Sequence, residues 1–287
     1  MHIVRISAGL GNQMFEYAFA LVLNEIHGDV KLDLGWFDRF EHHNGYELGR
    51  LFDVRLPLAS EEECRAVGDL SFSRLARLRR KLLWTRPSHH VETPRAYDPY
   101  YLSASLPCYF DGYWQSYRYY AGREGLVRGA LRFRPPMSEK NLRLLDRVRG
   151  RVMIGLHVRR GDYVGSASLG RAFGPLYYRR ALDQALEGAS DPVVLVFSDD
   201  LVWCRENIHT SCETLFVDWN RGEQSFEDMR IMAGCDRLVI CNSSFIWWGA
   251  WLGERPGRRI FAPERWFAAG QSDNMDIIPP EWIRVGD

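Results

Sequence analysis

Short apolar blocks alternate with helix-spaced apolar positions through the C-terminal half of the chain. Residues 152–156 read Val-Met-Ile-Gly-Leu and run into His157 and Val158, a strand buried on both faces. Apolar runs at 193–197, 215–217, 238–241 and 259–262 predict further strands. Between them the spacing turns helical. Pro175 opens one helix, with Tyr178, Ala181, Leu182 and Ala185 on a single face. Ser225 to Asp228 resembles a capping box, with Asp in place of Glu or Gln, and opens a second helix through about Ala233. A third covers 244–252. Repeated strand-then-helix predicts an α/β fold with a doubly wound parallel sheet.

The N-terminal half begins the same way. Residues 3–7 predict a strand, and Gly9-Leu10-Gly11-Asn12-Gln13 a glycine-rich turn. Met14, Phe15, Ala18, Leu21, Val22 and Ile26 recur at helical spacing, and 30–34 predicts a second strand. Beyond about residue 60 the periodicity weakens. Arg65, Arg74, Arg77, Arg79, Arg80, Lys81 and Arg86 face one acid, Asp69, while Leu75, Leu78 and Leu82 share a helical face. Two readings stay open for this basic helix of 74–86: a solvated surface, or docking on an anionic membrane. Residues 132–136 (Arg-Phe-Arg-Pro-Pro) read as a linker, which divides the chain into domains 1–138 and 139–287.

Composition narrows the function classes. The 287 residues carry no net charge and are 46% hydrophobic and 26% charged, so nothing in the bulk charge points to nucleic acid. The six cysteines form no C-x-x-C pair, as in a reduced cytoplasmic protein. His2 to Ile6 alternates like a strand and lacks the apolar stretch of a signal peptide. The longest uncharged run, 238–253, is too short to span a bilayer comfortably.

Candidate chemistry collects at four predicted strand ends, where open α/β sheets bind ligands. The first is His157-Val158-Arg159-Arg160-Gly161-Asp162-Tyr163. Two adjacent guanidiniums repel each other unless an anion such as a diphosphate sits there, or Asp162 closes a structural network. The second, Ser198-Asp199-Asp200, suits Mg²⁺, a guanine edge, or capping of the next helix. The third, Asn242-Ser243-Ser244-Phe245, opens a helix with hydroxyl and backbone donors, an anion site or plain capping. Trp247, Trp248 and Trp251 beyond it read as core. The fourth is the turn at Gly9 to Gln13. Glycines there let backbone approach a ligand, and Met14 stands where a dinucleotide fingerprint needs its last glycine.

Together the four segments resemble the α-1,2-fucosyltransferases of glycosyltransferase family 11. The match covers both ends of the chain and leaves about 45–145 weakly anchored. The H-x-R-R-x-D element is shared with α-1,6- and protein O-fucosyltransferases, and the tryptophan-rich last segment points to the α-1,2 group. The resemblance implies a GT-B architecture, two Rossmann-like domains facing across a cleft, with the N-terminal domain on the acceptor side. It implies inverting transfer of fucose from GDP-β-L-fucose to the 2-hydroxyl of a galactose in a glycan, without a bound metal or other cofactor. Arg159 then grips the β-phosphate, His157 lies on the guanine side, and Arg160 and Asp162 brace the loop. Asp199 and Asp200 recognise guanine or ribose. Asn242, Ser243, Ser244 and Phe245 complete the donor site, with Gly11 and Gln13 across from them.

For the acceptor's proton, Asp162 and Glu16 are the candidate bases; without a base, the transition state is oxocarbenium-like and a departing phosphate oxygen takes the proton late, and in either case Asn12 or Gln13 orients the hydroxyl. Acceptor choice is expected in the region after residue 35, including Asp38, His42, His43 and Tyr46, and in the aromatic stretch 109–120. A catalytically silent GDP-sugar or glycan-binding module, or transfer to another linkage, is the alternative. A cytoplasmic enzyme held peripherally at the inner membrane by the basic helix fits the absence of a spanning segment.

Overall fold

A computed structural model describes residues 1–40, 44–70, 86–92, 96–105, 107–161, 164, 172–267 and 275–286. The chain divides into two compact units, Met1–Arg134 and Pro135–Asp287.

The first unit is built on β1 (His2–Arg5), α1 (Leu10–His27), β2 (Val30–Asp33), α2 (Leu48–Leu51), α3 (Glu61–Val67), β3 (His89–Val91), β4 (Tyr109–Asp111) and α4 (Glu124–Ala130). Its strands are parallel in the order β2-β1-β4-β3. Ile3, Val4, Met14, Phe15, Ala18 and Val22 are fully buried between α1 and the sheet. Ile26, at the last turn of α1, is exposed. The aromatic stretch expected to select an acceptor is mostly core. Tyr109, Phe110, Trp114, Tyr119 and Tyr120 are buried, and Trp114 stacks on Phe19 with centroids 4.3 Å apart. Large aromatic surface is more effective inside than out.

The second unit runs α5 (Glu139–Arg147), β5 (Val152–Val158), α6 (Pro175–Leu186), β6 (Pro192–Ser198), α7 (Leu201–Asn207), β7 (Glu213–Val217), α8 (Phe226–Gly234), β8 (Arg237–Val239), α9 (Ser244–Leu252), β9 (Arg259–Pro263) and β10 (Ile283–Val285). All neighbours in its sheet, ordered β10-β9-β8-β5-β6-β7, are parallel. Val193 to Phe197 are wholly buried, as a central strand covered on both faces requires. Gly155 leaves room for the side chain of its partner on β8: a Cβ there would lie 2.5 Å from Leu238 Cδ1. Trp247, Trp248 and Trp251 are core.

The capping box expected at Ser225 does not form. Ser225 already has helical backbone angles after the 3₁₀ turn Gly222–Gln224, so it sits inside a continuous helical path and its side chain caps nothing. The chain does make a capping box at Ser60 and Glu63, where extended backbone precedes α3. Among the described residues no helix is long and apolar enough to cross a membrane. The basic stretch 74–86 lies, except for Arg86, outside the described residues.

Candidate active site

The order of the six-stranded sheet fixes where a ligand can enter. From β5 the chain proceeds outward through β6 and β7, then returns to place β8, β9 and β10 on the other side. The carboxyl ends of β5 and β8 therefore flank a topological switch point, the crevice where doubly wound sheets hold nucleotides.

His157 and Arg159 come from β5 and its end, and Asn242, Ser243 and Ser244 follow β8. The two segments touch: His157 Nδ1 lies 3.2 Å from Cys241 Sγ. The His157 ring is 6.0 Å from that of Phe245. Burial, aided by the Arg159 charge, pushes the His157 pKa down to about 3, so the imidazole is neutral at ordinary pH. Burial pushes the Cys241 thiol up to about 12. Ser243 is the N-cap of α9, and its side chain makes no capping hydrogen bond. The plain-capping reading of this segment is thus not what the structure shows. Backbone donors of the first turn, which every helix leaves unmatched, point from this end.

Arg159 and Arg160 separate into two environments. The Arg159 guanidinium is about one-third exposed, with Nη1 3.0 Å from Asp199 Oδ2. Arg160 turns inward: its Nε is 3.2 Å from Asp200 Oδ2, and its guanidinium lies 4.1 Å from the Trp203 ring centroid. Asp199 accepts from the backbone N–H of Arg160 at 2.9 Å and of Gly161 at 3.1 Å. Asp200 accepts from Trp203 N at 3.0 Å and so caps α7. Asp162, the motif's remaining acid, lies outside the described residues.

A buried polar group that the sequence reading missed lies beyond the carboxyl end of β7. Glu227 accepts from Ser138 N and Oγ at 3.0 and 2.9 Å. Asn141 donates to Asn220 Oδ1 at 3.0 Å, and Asn220 donates to Asp228 Oδ1 at 2.7 Å. Burial raises the Asp228 pKa to about 7. Its signal in the sequence, paired acids beside apolar Phe226 and Met229, was absorbed by the capping-box reading.

The first unit has its own switch point, between β1 and β4. The glycine segment there is the start of α1, with Gly9 as N-cap, rather than a turn. The turn proper is 6–9, where Ala8 takes a left-handed conformation with φ of 58°. Two side chains from α1 hold this strained link. Gln13 Nε2 donates to Ala8 O at 2.8 Å. Glu16 accepts from Ser7 N at 2.7 Å and from Ser7 Oγ at 2.6 Å. Glu16 is fully buried, and burial pushes its pKa well above the usual carboxylate range.

Gln13 is also fully buried. It donates to Gly45 O at 2.8 Å and accepts from Glu47 N at 2.9 Å, so its amide is saturated by backbone. Glu16 and Gln13 are therefore structural clamps, in place of the base and the donor contact expected of them. Gly11 is buried in the first turn of α1. Asn12 is the partly exposed polar member of the segment, and its Oδ1 accepts from Gln115 Nε2 at 2.8 Å across the β1–β4 switch point. Of the acceptor residues expected after residue 35, Asp38 is exposed and Tyr46 half-buried, while His42 and His43 lie outside the described residues.

Comparison with known proteins agrees with this architecture. Residues 94–286 match the sequence model of glycosyl transferase family 11. An alpha-1,2-colitosyltransferase of Escherichia coli is 29% identical over 99% of this chain and 98% of its own length. A galactoside alpha-(1,2)-fucosyltransferase 1 of Ateles belzebuth is 26% identical over 94% of this chain and 69% of its own length. Among solved structures, the fucosyltransferase NodZ from Bradyrhizobium superposes with a TM-score of 0.54 at 15% identity, covering 87% of this chain and 92% of that one. POFUT1 in complex with GDP-fucose gives 0.51 at 11% identity, covering 91% and 97%. The fold is the expected GT-B type, with two Rossmann-like α/β units. The chain is a glycosyltransferase and belongs to glycosyl transferase family 11.

Proposed function

We propose that this glycosyltransferase moves L-fucose from GDP-β-L-fucose to the 2-hydroxyl of a terminal galactose, with inversion at the anomeric carbon. The observation that carries the reading is the convergence of Arg159 and the α9 N-terminus at the β5–β8 switch point. In the reaction the C1–O bond to the β-phosphate breaks as a bond from C1 to the acceptor oxygen forms. Negative charge grows on the departing diphosphate. A guanidinium and helix-end donors aimed at that charge lower the barrier, a contribution of about 10²–10³ in rate per donor. This supports catalysis without a metal, as the family resemblance implies.

Asn12, an amide, orients the acceptor hydroxyl but cannot take its proton. Burial closes Glu16 to that role. Asp162 is the carboxylate we assign to it, and Asp162→Asn is the variant that tests the assignment. The N-terminal unit takes the acceptor glycan.

The test is a product assay with GDP-fucose and lactose, with the linkage read by NMR. An α-1,2-fucosyl product that survives EDTA supports the reading. Release of free fucose only, or GDP binding without turnover, contradicts it. One observation favours a second donor: a relative matched over nearly its whole length is named a colitosyltransferase. A competition between GDP-fucose and GDP-colitose for one acceptor decides between them.

A further inference from the structure

The loop after β2 carries aromatic side chains that the reaction at the phosphate does not use. We propose that Trp36, Phe37, Phe40 and Tyr46 form a stacking platform for a neutral pyranose ring, and that Gln13 is the positioning residue that sets it. The inference rests on the saccharide-acceptor reading above and names the place where the sugar sits.

The platform is built from local backbone. Phe37 N donates to Leu34 O at 3.0 Å, and Trp36 O accepts from Arg39 N and Phe40 N at 3.1 and 3.2 Å. This helical turn brings positions i and i+4 together. The Trp36 and Phe40 rings stack with centroids 5.1 Å apart and planes 30° from parallel. Phe37 meets Trp36 edge-on at 5.2 Å and Tyr46 at 5.8 Å. Phe40 is 46% exposed, so the stack ends in an aromatic ring open to solvent. Most buried aromatics of this unit are packed within the core; this group is not.

Both ends of the loop are anchored. Gly35 N donates to Asp33 Oδ1 at 2.8 Å, and the other Asp33 oxygen accepts from Tyr109 Oη at 2.5 Å. At the far end Gln13 holds Gly45 O and Glu47 N, while its Nε2 also grips Ala8 O. A single amide thus links the strained β1–α1 turn to the aromatic loop. Residue 13 lies one position from Asn12, the group assigned to orient the acceptor hydroxyl. A platform fixed before the ligand arrives loses little entropy on binding.

The chemistry of the surface selects the class of ligand. A pyranose presents a face of C–H groups and a rim of hydroxyls. Stacked rings match the face, and Asp38, exposed in the same turn, is an acceptor of the kind the rim hydroxyls need. Asp38 and Arg39 are adjacent and opposite in charge, which argues against a phosphate or an anionic surface as the occupant. The loop leaves the carboxyl end of β2, the edge of the sheet on which such folds bind ligands.

The test is titration of the full chain with lactose, methyl β-D-galactoside, N-acetyllactosamine and cellobiose, followed by saturation-transfer NMR, with GDP affinity measured in parallel by calorimetry. Phe40→Ala is expected to weaken the best-bound sugar by about two- to tenfold, the effect of one aromatic contact, with GDP affinity and melting temperature unchanged. Gln13→Ala is expected to raise the acceptor KM with little change in kcat. Adding Phe40→Ala to it then has little further effect, which a loss of general stability would not produce. Trp36→Leu serves as the second reading of the platform if Gln13→Ala does not fold. Unchanged sugar affinity in Phe40→Ala and Trp36→Leu overturns the platform and leaves the transfer reading standing. Failure of the wild type to bind any of the sugars also overturns it. Failure to bind GDP overturns the proposed function instead, and the sugar titration still decides the platform.

Discussion

Arg159 and Asp199, forty positions apart, meet at the ends of two adjacent strands with Nη1 and Oδ2 3.0 Å apart. The same carboxylate accepts from the backbone of Arg160 and Gly161. One side chain therefore shapes the loop and aims the guanidinium. An exposed ion pair of this kind adds little stability by itself. Its effect is orientation: Arg159 is held beside Asp199 at the end of β5, while Arg160 is turned away onto Asp200 and Trp203.

Replacing Arg159 separates catalysis from folding. Arg159→Ala is expected to lower kcat about 10²-fold, because the developing diphosphate charge loses its principal side-chain partner. Arg159→Lys keeps the charge without the planar fork and recovers only part of the rate. Melting temperature changes little, since the side chain is about one-third exposed. Steady-state kinetics with GDP-fucose checks this, and a wild-type kcat in Arg159→Ala contradicts the role.

Gly155→Ala tests how β5 is held at the switch point. The new methyl would lie 2.5 Å from Cδ1 of Leu238, on the strand that leads to Ser243, and 3.1 Å from Sγ of Cys235, the C-cap of α8. Overpacking between central strands costs about 1–3 kcal/mol. Chemical denaturation is expected to show that loss, and GDP affinity to fall with it, because β5 and β8 carry the two halves of the site. Unaltered stability would mean that Leu238 relaxes freely.

The strand ends could be read from the sequence because they depend on local pattern. Val193 to Phe197 is apolar throughout, and a segment buried on both faces has no alternative to a central parallel strand. The clamps could not be read, because they depend on partners brought from afar. Gln13 looked like a ligand contact and is saturated by Ala8, Gly45 and Glu47, two of them more than thirty residues away. Ser225 looked like a cap, and the 3₁₀ turn before it removed the boundary it would have capped. Asp200 illustrates both kinds of evidence: capping of α7 is a local rule, whereas its pairing with Arg160 is a tertiary contact.

Asp228 offers a stability test with a defined sign. Its pKa in the fold is about 7, above the unfolded value of about 3.8, so the fold favours the protonated acid. Stability from that preference is present below about pH 3.8 and is lost as pH rises through 7. Asp228→Asn keeps an oxygen that can accept from Asn220 and cannot ionise. It is therefore expected to raise the melting temperature at about pH 8 relative to wild type and to leave it unchanged near pH 4. An equal shift at both pH values would show that ionisation is not the cause.

His157 gives the opposite dependence. Its pKa falls from 6.5 to about 3 in the fold, because burial and the neighbouring Arg159 disfavour the charged ring. The unfolded chain takes up a proton below about pH 6.5 that the folded chain refuses. Stability is thus complete above that pH and declines as pH drops toward 3. At about pH 5 the difference amounts to roughly 2 kcal/mol. His2, lowered to about 4 by burial and by His27, adds to the same decline, so the total slope is not diagnostic. The informative quantity is the difference between wild type and His157→Gln in urea midpoints at about pH 7.5 and pH 5. The variant is expected to lose less stability over that interval. Parallel losses in the two proteins would show that the imidazole is not held neutral at the β5–β8 switch point.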